Sequence, residues 1–154
     1  MTTTLWLRIS SIVSLVFVAG HALGGLKHWS PMGENPVLQT MRTVRFETMG
    51  VSRSYFDFFV GFGHSLTVMM AMQAILLWQL ATIASTNNTV VRPLILVFAL
   101  ATAVVGVIAW RFIFPIPAIF SLILLVCLCL AYFVAFRTRL TSPPVNLGAG
   151  IWRS

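Results

Sequence analysis

Asp57, Gly61 and His64 fall at i, i+4 and i+7 in the stretch "SRSYFDFFVGFGHS", residues 52–65. On a helix that spacing makes one stripe. An imidazole can exchange a proton near neutral pH, and a carboxylate on the same face can orient it. A second imidazole comes from His21 in "GHALGG". His64, Asp57 and His21 are therefore the candidate catalytic residues. Glu47, Arg45 and Arg53 precede the stripe closely, and Arg111 closes a later apolar run. With Tyr55 and Gly61 they form the candidate ligand-binding set. The two histidines also suit a second chemistry, as axial ligands of a haem or, joined by Asp57 and Glu47, as ligands of iron or zinc. No spaced metal signature accompanies them, so no dedicated metal site is expected.

Each of these groups has a structural use as well. Ser54 followed by Asp57 is a capping-box pattern, and a carboxylate suits a helix N-terminus. Gly20-x-x-x-Gly24 and Gly61-x-x-x-Ser65 are small-residue spacings that let membrane helices approach closely. His64, about 15 Å along its helix at ~1.5 Å per residue, is expected well below the headgroups, where an ionisable group faces a cavity or a neighbouring helix. His28 and Trp29, next to Lys27, read as part of an interfacial belt.

The elements that must carry these residues are apolar. Of the 154 residues, 58% are hydrophobic and only 8% charged, with a mean hydropathy of +0.94, whereas soluble domains average about 25% charged. Four runs, 9–26, 55–83, 93–113 and 117–136, reach the roughly 18 residues a span needs. The expected fold class is all-α: a four-transmembrane-helix bundle in a single domain, residues 1–136, with a surface tail over 137–154. The first run also fits a signal peptide with a small-residue cleavage site. The connection over 27–54 carries helix punctuation, with Asn35 as N-cap, Pro36 at the first position and Gly50 past the end. It predicts an amphipathic, interfacial helix over 36–49. Pro93 suits a first turn, and "FPIP" a tight turn between the last two spans.

The net charge of +7 belongs to basic residues scattered at the edges of the runs, which anchor helices at headgroups. No nucleic-acid partner is expected. Five basic residues fall on either side of the bundle, so loop charge does not orient it; cytoplasmic termini are the working expectation. Cys127 and Cys129 point to nearly opposite sides of one helix and do not suggest a disulfide.

The segment "RSYFDFFVGFG", preceded by a His- and Gly-rich first helix, resembles a family of small four-helix bacterial integral membrane proteins with a DoxX-like layout. That resemblance implies a four-span bundle in a bacterial cytoplasmic membrane. It carries over no activity and no site residue.

Three functions fit this reading. The first is an intramembrane polar pocket for a lipophilic small molecule arriving from the bilayer, with acid–base chemistry. The second is a noncatalytic accessory or assembly subunit of a homo-oligomer or larger membrane complex. The third is haem or metal binding. Transport fits poorly, because four helices make a pore only by oligomerising and no span repeats a charge pattern.

Overall fold

A computed structural model describes residues 2–141, with side chains described as far as Arg137. Its elements are α1 (Thr3–Gly25), α2 (Pro36–Thr43), β1 (Arg45–Thr48), β2 (Val51–Ser54), α3 (Tyr55–Ala84), α4 (Asn88–Phe112) and α5 (Pro115–Thr141). Helices α1, α3, α4 and α5 are each long and apolar enough to cross a membrane. The fold is an all-α four-helix bundle with a short amphipathic helix, α2, in the first connection.

Caps move the helix starts ahead of the apolar runs. Thr2 accepts from the Leu5 amide, so α1 begins at Thr3 and not at residue 9. Asn87 accepts from the Thr89 and Val90 amides and starts α4 at Asn88. Pro93 therefore lies inside α4, beyond its first turn, where it leaves the Thr89 carbonyl without an i+4 amide. The fourth helix runs through residues 137–141, which sequence reading gave to the tail. The rest of that tail, 142–154, lies outside the described residues.

The expected helix over 36–49 is two elements. Asn35 and Pro36 start α2 as read, with Asn35 Oδ1 accepting from the Leu38 amide at 3.1 Å. The helix stops at Thr43, and the chain turns into an antiparallel hairpin pairing Arg45 with Ser54 and Thr48 with Val51. Gly50 is a turn residue rather than a helix stop. Met49 (φ 50°) and Gly50 (φ 76°) both occupy the left-handed region, as a two-residue hairpin turn of matching twist requires. Val44, Phe46 and Thr48 alternate with Arg45 and Glu47, a period of two that the weaker helical stripe obscured.

Helix α1 packs along α3 and α5, α4 packs along α5, and α3 meets α4 only sparsely. The buried face of α1 is Thr3, Leu7, Ser10, Ser11 and Ser14, a small stripe on which Ser11 Oγ donates to the Ala74 carbonyl at 2.7 Å. Ser10 and Ser14 donate back to their own helix, to Trp6 and Ser10 carbonyls. Between apolar helices in lipid, close approach and such polar joints supply the association. All buried residues of α3, Ala74 to Ala84, lie in its second half. From Leu77 onward they join Leu7, Val91, Ile95, Leu124 and Leu128 in one core at the end carrying the α3–α4 turn. The bundle is tight there and looser toward the α1–α3 connection.

The α1–α3 register fixes levels along the bundle. Ser11 lies opposite Ala74, His21 opposite Thr67, and Gly25 across the Trp29 ring from Gly63. Residues 55–62 of α3 therefore extend about 12 Å past the end of α1. The remainder, 63–84, is about 33 Å long, matching the ~30 Å hydrocarbon core.

Candidate functional site

Trp29 organises the mouth of the bundle. The chain leaves α1 through a Schellman turn: the Trp29 amide donates to the Gly24 carbonyl (3.0 Å) and the His28 amide to the Gly25 carbonyl (2.9 Å). That motif needs a left-handed residue after the helix, a place glycine usually takes. Here His28 takes it at φ 52°, and Trp29 follows at φ 49°. The turn folds the indole back onto the helix it has just left.

Its seat is made of glycine backbone. A Cβ on Gly25 would stand 2.8 Å from the indole, and one on Gly63 would stand 2.5 Å from it. Gly24 lies in ordinary contact with the same ring. The indole Nε1–H donates to the His21 carbonyl at 3.1 Å. Both imidazoles meet this ring, His21 at 5.4 Å between centroids and His64 edge-on at 4.9 Å, with Phe59 at 6.4 Å. Gly24 and Gly25 on the first span and Gly63 on the second thus accommodate a tryptophan. Gly20 and Gly61, expected at a helix–helix seam, have no atom within 4 Å of an added Cβ.

His21 is tied across the α1–α3 interface, its Nδ1 2.8 Å from Thr67 Oγ1. The Thr67 hydroxyl donates to the Gly63 carbonyl at 3.0 Å. With that proton committed, the network assigns Nδ1 of His21 as donor and leaves Nε2 as the acceptor of the neutral ring. His64 differs. It is exposed on the flank of α3, and the Trp29 ring is its contact; neither nitrogen has a hydrogen-bond partner among the described residues. Because α3 overshoots α1, His64 is level with the last turn of α1.

The other candidates gather elsewhere. Asp57 closes the capping box: its Oδ2 accepts from the Ser54 amide at 2.8 Å, while Ser54 Oγ accepts from the Asp57 amide at 3.0 Å. It is exposed, in the field of Arg45 and Arg53, and about two turns (~10 Å) from His64 along the helix. Arg45 donates to the Ser52 hydroxyl and carbonyl, and Arg53 to the same carbonyl. Glu47 is exposed on β1 opposite Ser52. Tyr55 packs against Phe46 with the rings tilted by 52°, and Phe46 also meets Phe58. Arg111 is exposed at the end of α4, its guanidinium 5.4 Å from the Phe112 ring. The structure therefore brings His21 and His64 together through Trp29, and groups Asp57 with the hairpin arginines.

Glu34 forms a two-pronged ion pair with Arg42, at 2.6 and 2.8 Å, the only ion pair among the described residues. The Arg42 guanidinium holds the Glu34 carboxyl below the usual carboxylate range. Arg42 also lies over the Phe56 ring, against which His28 packs edge-on. The connection over 26–35 is thereby fastened to the projecting turns of α3. No group of three or more metal-ligating side chains occurs among the described residues.

Trp29 and Thr67 are the site residues that sequence reading missed. The sequence signal of a Schellman turn is a glycine at the position after the helix end, which here is position 28. Histidine in place of the usual glycine at position 28 hid it.

Taken together, the four spans define an α-helical integral membrane protein with a histidine–tryptophan cluster at one mouth. Comparison with family models, with curated proteins and with solved structures finds no match to this chain.

Proposed function

We propose that this membrane protein holds a lipophilic small molecule with a polar head at the His64 mouth, where the imidazole bonds the head and exchanges a proton with it. The observation that carries the reading is the state of His64: an exposed imidazole level with the end of α1, against an indole, with neither nitrogen hydrogen-bonded among the described residues. An amphiphile in the bilayer carries its head at that level and its tail along the apolar flank of α3, including Leu66, Val68 and Met69, all exposed. Near pH 7 a histidine can act as acid or base. His21 Nε2 is the second proton carrier beside it. Asp57 takes no direct part; it fixes the start of α3.

The test is extraction. Wild-type protein moved through detergent exchange should retain a lipophile distinct from bulk phospholipid, identified by mass spectrometry. His64→Ala, with an unchanged thermal midpoint, should lose it. Identical extracts from the two proteins would overturn the proposal.

One observation favours a second reading, the accessory or assembly subunit: the His21–Thr67 bond is a polar joint between two spans. Such joints contribute about 0.6–1.7 kcal/mol. On that reading His21→Ala lowers the thermal midpoint and His64→Ala changes nothing in the extract.

A further inference from the structure

The seat of Trp29 has the form of a binding slot. Its walls are flat: Gly24 and Gly25 on α1, Gly63 on α3, the two imidazoles, and the edge of Phe59. At one edge the slot presents a carbonyl acceptor, that of His21, now taken by the indole N–H. Beside it stands His64, whose nitrogens have no hydrogen-bond partner among the described residues. A planar ring about the size of an indole, bearing an O–H or N–H at its rim, matches this shape and this polarity.

The resident ring is held there by a segment in an unfavourable backbone state. Two consecutive non-glycine residues, His28 and Trp29, adopt left-handed angles, a conformation that L-residues rarely take. Release of the indole lets both relax. Its polar tether to the slot is a single hydrogen bond of 3.1 Å. The ring is half-buried rather than enclosed, so it has a way out.

We infer that the α1–α3 slot receives one planar, donor-bearing ring of the lipophile, a phenol-like group, and that Trp29 is the displaceable plug that fills the slot until the ligand arrives. This rests on the reading of His64 as the ligand's polar contact and narrows the ligand to a flat, ring-headed amphiphile. The ring donor takes over the His21 carbonyl as the indole leaves it. The alkyl tail runs down the exposed flank of α3. A plug lowers apparent affinity by the fraction of molecules in which it is closed, so removing it tightens binding of any ring that fits.

The experiment uses the full chain in phospholipid nanodiscs with two probes, 4-nonylphenol and nonylcyclohexane, measured as labelled probe retained above empty discs. Trp29→Ala should bind 4-nonylphenol about tenfold more tightly than wild type and leave nonylcyclohexane unchanged. Because loss of the indole also removes packing, the same measurement is made in the double variant His28→Gly with Trp29→Ala, in which the relaxed turn offsets that loss. Gly63→Leu, which fills the slot from the α3 side, should abolish the gain in the Trp29→Ala background. Equal affinity for 4-nonylphenol in wild type and both Trp29 variants would overturn the plug, as would a matching gain for nonylcyclohexane. The extraction test with His64→Ala fails or succeeds separately. A lipophile lost in His64→Ala but no preference for the phenol sinks the slot alone. A tenfold phenol preference with nothing to extract sinks the resident lipophile and keeps the slot.

Discussion

His28 holds a backbone conformation that an L-residue rarely adopts, and it does so to aim its neighbour. His28→Gly should raise the thermal midpoint, with a gain of about 1 kcal/mol from relief of the left-handed angle. A fall in the midpoint would mean that the imidazole packing on Phe56 outweighs the strain. The glycines divide sharply by what faces them. Gly63→Ala places a methyl 2.5 Å from the indole and must move the ring, altering tryptophan fluorescence. Gly61→Ala meets nothing within 4 Å and should leave the spectrum unchanged. A joint of another kind is Ser11, whose hydroxyl reaches the Ala74 carbonyl inside the bundle. Ser11→Ala should cost about 1 kcal/mol, read as a lower midpoint in detergent. In the sequence Asp57 and His64 share a stripe, and the capping box was legible because it depends on residues three apart. The partner of His21 was not, since Thr67 is 46 positions away.

At the scale of elements, the first connection is the most informative. The α2 start was readable from Asn35 and Pro36, which act on their own backbone within one turn. The hairpin was not, because a period of two over so few residues competes with an equally short helical pattern. Met49 sits at the turn in a left-handed conformation with its side chain fully exposed. Met49→Asn suits that position better and should increase hydrogen-exchange protection of the Arg45–Ser54 ladder; unchanged protection would argue against the turn geometry. The loop preceding α2 depends instead on charge. The Glu34 carboxyl is held below its ordinary value by Arg42, so the ion pair contributes fully above the ordinary carboxylate pKa. It is lost as pH falls through the lowered folded value. Hydrogen exchange over 26–35 should therefore accelerate selectively on acidification, and Glu34→Gln should remove that pH dependence.

Across the whole molecule, the order of helices sets what is open. Helices α1 and α5 adjoin, α3 and α4 pair with them from outside, and the core lies toward the Ser85–Asn87 turn. The opposite end carries α2, the hairpin and the projecting turns of α3. Residues 49 and 87 must then lie on opposite faces of the membrane. Of Met49→Cys and Asn87→Cys, each probed with an impermeant maleimide, one should label in intact cells and the other only after permeabilisation; labelling of both in intact cells would break the four-span topology. The native thiols do not compete, as Cys127 is buried and both cysteines lie within α5.

Apolar run length and local caps, acting through contacts of a few residues, determined in the sequence alone that four helices span a membrane and where α2 and α3 begin. Tertiary structure decided the rest. It slid α3 past α1 so that His64 is level with the end of α1, and it made Gly24, Gly25 and Gly63 a seat for Trp29. The physical reason is that register between helices in lipid depends on which small surfaces interlock, and an indole placed by a Schellman turn interlocks with a glycine, Gly63, 34 positions away along the chain.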